Sequence, residues 1–266
     1  MADTLEGAGV ELAFEQRGQG ASVLLSHGIG SDRRIWSDVV AALGDELRTI
    51  AYDRRGCGAS GAPEPYEGTT IEEQAEDAAA VLERLEAAPA VFCGHSLGAV
   101  VGLDLLRRRP EALSGAVLIE PPLFSLSPLG HEQGAAIRQA AEEGMRDGGE
   151  RGLIEAVGEV ICGPGEVERL GRARFAARAP SARVLALELA ATPKWAFTRG
   201  ELEALGERRV ILICGRDSGQ VWLDVCTELE QLLPRAELRE VDSRHVVPLV
   251  QPEAVAAAVR ELAAEQ

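Results

Sequence analysis

The serine at the centre of CGHSLGAV (93–100), Ser96, and four histidines are the residues of this chain whose types could do nucleophilic chemistry. A serine hydroxyl attacks poorly at neutral pH unless a base takes its proton, and histidine changes charge in the right range. A bare G-x-S-x-G is a weak signal in a chain with 29 glycines. What gives it force is its setting, because a nucleophile held on a sharp turn needs a strand running in and a helix running out. AVFCGH (90–95) has the apolar, β-branched character of a buried strand, and SLGAVVGLDLLRRRP (96–110) reads as a helix ending before Pro110. Gly94 and Gly98 then have a mechanical purpose, since side chains there would collide with neighbouring backbone.

The base is found by position. His95 adjoins Ser96 but points elsewhere on a tight turn, His131 has surface character, and His27 ends a strand in HGIG (27–30). His245, in DSRHVVP, follows the last strand and precedes the last helix, which puts it in a loop able to reach the nucleophile. A base also needs an acid to orient it. Asp217, in ICGRDSG, follows a strand directly and gives the chain order Ser, Asp, His expected of this architecture. Glu120, in LIEPP, competes with it from the end of another central strand, and otherwise belongs in the substrate pocket. Attack on a carbonyl creates an oxyanion that fixed N–H donors must stabilise. Leu97 offers one at its helix start, and Ile29, between Gly28 and Gly30, offers the second.

These residues require a particular scaffold. VELAFE (10–15) alternates like a half-exposed strand, while SVLLSHG (22–28), TIAYD (49–53), AVFCGH, AVLIE (116–120) and VILICG (210–215) are short apolar runs suited to burial on both faces. Between them lie helical patterns. In TIEEQAEDAAAVLERLEA (70–87), Thr70 and Glu73 form a capping box, and Ile71, Ala75, Ala78, Val81, Leu82 and Leu85 share one face. Such alternation predicts an α/β fold, a mostly parallel central sheet flanked by helices, because parallel strands need crossover connections. From 123 to 199 no strand pattern appears and helix-like segments dominate, which predicts a helical insertion. The rhythm resumes with VILICG, a helix over 220–233, the strand AELREVD (236–242) and a last helix, PEAVAAAVRELAAE (252–265).

Composition narrows the class of partner. A net charge of −16, with Lys194 the only lysine, leaves no basic stripe for nucleic acid. Five scattered cysteines without a C-x-x-C pair argue against a disulfide framework or a zinc site and for a reducing, cytoplasmic location. The N-terminus lacks signal-peptide character, and no run is long enough to span a membrane. A small-molecule substrate is the expected partner, with the protein a monomer or small homo-oligomer.

HGIG (27–30), YDRRGCGASG (52–61), GHSLG (94–98), GRD (215–217) and RHVVPLVQPEAV (244–255) together resemble the α/β-hydrolase superfamily, in that superfamily's order. The resemblance covers about 10–122 and 200–265. It implies a hydrolase core of 1–122 and 200–266 and a helical cap of 123–199, in the style of capped bacterial esterases, enol-lactonases and C–C bond hydrolases. Serine at the elbow excludes the epoxide hydrolase and haloalkane dehalogenase branches, which carry aspartate there. The function implied is hydrolysis of a small carboxylic ester or lactone through Ser96, with no cofactor and no metal. C–C bond hydrolysis or perhydrolysis by the same triad, or a receptor without turnover, are the alternatives. Under a cap, Leu123, Phe124, Leu126, Trp195 and Phe197 are placed to line the pocket, and Arg33, with Arg34, to meet a substrate carboxylate.

Overall fold

A computed structural model describes residues 2–170, 182–205 and 208–265. Its strands are β1 (Asp3–Glu6), β2 (Glu11–Arg17), β3 (Ser22–Ser26), β4 (Arg48–Tyr52), β5 (Ala90–His95), β6 (Leu113–Ile119), β7 (Arg209–Gly215) and β8 (Ala236–Val241). They form one sheet in the order β1-β2-β4-β3-β5-β6-β7-β8. The β1–β2 and β2–β4 pairs are antiparallel, and every pair from β4–β3 to β7–β8 is parallel. The sheet therefore has the mostly parallel character expected of its apolar runs. β1 has no counterpart in the sequence reading because DTLE is short, polar and largely exposed, and only its pairing with β2 makes it a strand.

Helices α1 (Ser37–Leu43), α2 (Ile71–Arg84) and α3 (Leu97–Arg108) connect the first strands. α2 begins as its sequence predicts: Thr70 Oγ1 accepts from the Glu73 N–H at 3.1 Å while Glu73 Oε2 accepts from the Thr70 N–H at 2.9 Å. Its buried face holds Ile71, Ala75, Ala78, Val81 and Leu82. Between β6 and β7 the described residues form helices and no strand: α4 (Gly130–Cys162), α5 (Glu166–Leu170), α6 (Ala182–Ala191) and α7 (Arg199–Ala204). Part of the helical segment expected at 123–199, residues 171–181, lies outside the described residues. α4 breaks at Gly149, whose φ of 62° suits glycine, and its two halves close on each other: a Cβ on Gly144 would meet the Gly152 carbonyl at 2.4 Å. α8 (Gln220–Leu232), α9 (Val247–Val250) and α10 (Pro252–Ala263) complete the chain.

Alternate residues of the central strands feed two cores. Leu24, Ile50, Phe92, Leu118 and Leu212 pack with the apolar faces of α2, α3 and α8. Val23, Leu25, Val91, Cys93, Val117, Ile119 and Ile211 pack with α1 and α10. Each such side chain removed from water contributes on the order of 1.5–3 kcal/mol, so the sheet is pinned from both sides. That rigidity fixes where the strand ends lie, and the loops leaving the carboxyl ends of β3, β5, β6 and β7 gather along one edge. Ligands of open parallel sheets bind outside this edge. Among the described residues, no helix is long and apolar enough to cross a membrane.

Candidate active site

β5 delivers Ser96 directly into α3, and the turn is as tight as its glycines require. Ser96 has φ 53° and ψ −121°, a conformation that costs a non-glycine residue on the order of 1–3 kcal/mol and is held by its surroundings. Its N–H bonds the Ile119 carbonyl at 2.8 Å, and its carbonyl accepts from the Ala99 N–H at 2.9 Å. A Cβ on Gly94 would lie 2.5 Å from the Gly98 carbonyl oxygen, and one on Gly98 would lie 2.2 Å from that of Ser26. The strand could not approach the helix this closely with any other residue at either place.

His245 lies in the loop between β8 and α9 and is 2% exposed. Its Nδ1 donates to Glu120 Oε2 at 2.5 Å. The other carboxylate oxygen accepts from the Gly215 N–H at 2.7 Å and the Cys214 thiol at 3.5 Å, and Glu120 is fully buried. A bond with Cys226, and then burial, raise the Cys214 pKa, so that thiol stays protonated and able to donate. The imidazole is sandwiched as well: Trp222 of α8 stacks at 4.1 Å between centroids, and the His95 ring lies at 4.8 Å. His95 Nε2 donates to the His245 carbonyl at 2.7 Å. Burial, and then the nearby His245, push the His95 pKa down to about 3, so His95 is a neutral brace for the loop. With Nδ1 committed to Glu120, His245 keeps the lone pair of Nε2.

Asp217 is not the partner of His245. Its turn after β7 is bound close to the sheet edge, the Asp217 N–H donating to the Ser243 carbonyl at 3.0 Å, and its side chain is exposed in a surface groove with Ser218, Gln220 and Arg244. The turn is too short to bring the carboxylate inward, whereas Glu120 leaves β6, one strand from Ser96, with φ 45° and enters the interior. Glu120 is accordingly a partner of the histidine rather than a pocket residue.

Ser96, His95 and His245 share a cavity of about 70 Å³ with Ile29, Gly30 and Ser31. The rest of its wall is mostly aliphatic, with Ile154, Val157 and Ile161 from α4 and Leu185 from α6, and Cys162 beside them. No Asp, Glu, Lys or Arg lines it among the described residues. The Leu97 N–H begins α3 without an intrahelical acceptor, and Ile29 stands beside it in the β3 loop, where a Cβ on Gly28 would come within 3.0 Å of Ser96 Cβ. The cavity thus combines a strained serine, an oriented imidazole and two candidate N–H donors in apolar surroundings. Such a set can transfer an acyl group.

The remaining expected pocket residues stand elsewhere. Arg33 Nη1 pairs with Asp53 Oδ2 at 2.5 Å and its Nη2 with Glu15 at 2.9 Å, so its charge is used within the fold. Arg34 pairs with Asp32 at 2.5 Å. Phe124 meets Trp222 edge-on at 5.3 Å, outside the cavity wall. Trp195 is buried against α3, its Nε1 donating to Asp104 at 3.3 Å, with Phe197 packed on its ring at 4.4 Å. The aliphatic wall was missed although Ile154, Val157 and Ile161, at i, i+3 and i+7, mark one helical face. Trp222 carried no comparable signal, since an apolar residue early in a helix is ordinary core.

Residues 23–258 match the sequence pattern of the alpha/beta hydrolase family. A hydrolase of Bacillus subtilis, YraK, itself uncharacterized, is 36% identical over 123 residues, 46% of this chain and 45% of that protein. The chain spans less than half the length of such curated relatives. A thermophilic esterase from Thermogutta terrifontis superposes with a TM-score of 0.80 at 26% identity, over 99% of each chain. The enol-lactonase from Burkholderia xenovorans gives 0.79 at 23% identity over 98% of this chain and 99% of that one, a likeness of fold.

Proposed function

Because the chain belongs to the alpha/beta hydrolase family, we propose that it hydrolyses small, uncharged carboxylic esters or lactones through an acyl-enzyme on Ser96. One observation carries this reading: the His245–Glu120 pair opens onto the same apolar cavity as a serine held at positive φ. Ser96 Oγ attacks the substrate carbonyl carbon as His245 Nε2 takes its proton. The carbonyl oxygen becomes an oxyanion between the N–H groups of Ile29 and Leu97. Collapse of this tetrahedral intermediate breaks the C–O bond, and the leaving alkoxide takes the proton from His245. Water then attacks the acyl-serine with His245 again as base, releasing the acid and restoring Ser96. Glu120 holds His245 Nδ1 and stabilises the imidazolium formed in both steps.

The cavity also bears on the substrate. A mostly aliphatic wall that holds no charged side chain among the described residues favours an uncharged aliphatic acyl group, and 70 Å³ favours a short one. The helices between β6 and β7 supply one side of that wall and act as the cap of this site. The test is hydrolysis of p-nitrophenyl acetate, butyrate and octanoate by the wild type beside Ser96→Ala. Multiple turnover is expected with the short esters, declining at octanoate, and a loss of at least about 10³-fold in kcat for the variant. Turnover by a folded Ser96→Ala protein at the wild-type rate would overturn the reading, and so would a wild type that binds these esters without turning them over.

A further inference from the structure

Arg54 belongs to the turn after β4 and is 1% exposed, yet it touches neither Ser96 nor the cavity wall. Four of its five guanidinium N–H groups are engaged: Nε donates to the His27 carbonyl at 2.9 Å, Nη2 to the Gly28 carbonyl at 2.8 Å, and Nη1 to Gln74 Oε1 at 2.5 Å and to Glu188. His27 joins the same arrangement. A backbone N–H can only donate, so His27 Nε2 accepts from the Arg54 N–H at 3.0 Å; Nδ1 then carries the proton and donates to the Gly28 carbonyl at 2.8 Å. Two donors, one of them charged, therefore converge on a single carbonyl oxygen.

That oxygen belongs to the peptide unit whose other end is the Ile29 N–H. The unit is planar and trans, so its N–H points opposite to its C=O. Fixing the oxygen on the buried side fixes the direction of the N–H on the other, and a charge-assisted bond to the oxygen polarises the N–H into a better donor. Glu188, fully buried on α6, holds Arg54 from the cap side, one turn from Leu185 in the cavity wall.

We propose that Arg54, with His27, is a positioning residue of the reaction: it aims and polarises the Ile29 N–H, and through Glu188 it ties that donor to the seating of the cap. The inference rests on the hydrolase reading above. It separates from general stabilisation because a misaimed oxyanion donor is felt in the transition state and hardly in substrate binding. Loss of a whole oxyanion donor costs about 10²–10³ in kcat, and tilting one costs part of that.

The experiment compares wild type, Arg54→Lys and His27→Gln for p-nitrophenyl butyrate turnover and for inhibition by an alkyl trifluoromethyl ketone. This ketone adds Ser96 Oγ to its carbonyl and presents the resulting oxyanion to the same donors. Expected are a fall in kcat of about 10- to 100-fold, KM within about twofold, and a matching loss of ketone affinity. If Arg54→Lys does not fold, His27→Gln, which removes a donor to the same carbonyl, must give this pattern alone. A folded variant with unchanged kcat, or with its loss confined to KM while ketone affinity stays at the wild-type level, overturns the positioning role and leaves the hydrolase reading standing. A wild type that neither turns over the ester nor takes the ketone overturns both.

Discussion

Glu120 reaches His245 because it continues a buried strand past its last ladder residue and then turns at φ 45°, carrying its side chain inward, where the Gly215 N–H and the Cys214 thiol occupy the oxygen that the histidine does not. A buried carboxylate is costly unless its lone pairs are satisfied, and these three donors satisfy them. The sequence points to Asp217 as the acid with Glu120 as its competitor, and the structure reverses that choice, because nothing in residue type separates them. Each follows a central strand, and the decision lies in how far the next turn reaches, a property of backbone path. Kinetics should divide them sharply. Glu120→Gln is expected to lower kcat by about 10³- to 10⁴-fold, because the histidine loses both its orienting acceptor and the charge that stabilises the imidazolium. Asp217→Asn, on the exposed groove, should stay within about twofold of wild type. Equal losses in steady-state assays of the two variants would contradict the assignment.

At the scale of elements, what was legible had local causes. The capping box and apolar face of α2, the apolar runs of β3 to β7 and the glycines around Ser96 each leave their mark within a few residues of sequence. β1 was not legible because its four residues are a strand only by virtue of β2 beside them. The pocket was the least legible part. Aromatic residues near the two junctions of the helical segment promised a lining, but Phe124 braces Trp222 and Trp195 fills the space beside α3, which leaves the wall to aliphatic residues, the stripe of α4 among them. Likewise Arg33 had the type suited to a carboxylate ligand, but the fold had already supplied it with Asp53 and Glu15. A side chain's type says what it can bind, whereas its neighbours decide whether that capacity is left over.

For the molecule as a whole, two buried histidines beside the site, His27 and His95, are held neutral, and this couples stability to pH. Burial, and then the Arg54 charge, push His27 well below the ordinary histidine range, and His95 is pushed down to about 3. Below pH of about 6.5 the unfolded chain binds protons that these native sites refuse. Their contribution is therefore fully present above that pH and is lost as pH falls toward the folded pKa, by about 1.4 kcal/mol per pH unit for each histidine. In urea unfolding compared at about pH 7 and pH 5, His95→Asn should show a shallower loss of stability than wild type, by about one proton's worth. Equal slopes would mean that His95 is protonated in the native protein. The central claim is that Ser96 carries the acyl group, and the most direct measurement of it is mass spectrometry of the protein acid-quenched during turnover of p-nitrophenyl butyrate. A butyryl adduct on the peptide containing Ser96, absent from Ser96→Ala, is the predicted result. Turnover with no adduct on that peptide, or with the adduct unchanged in Ser96→Ala, would contradict it.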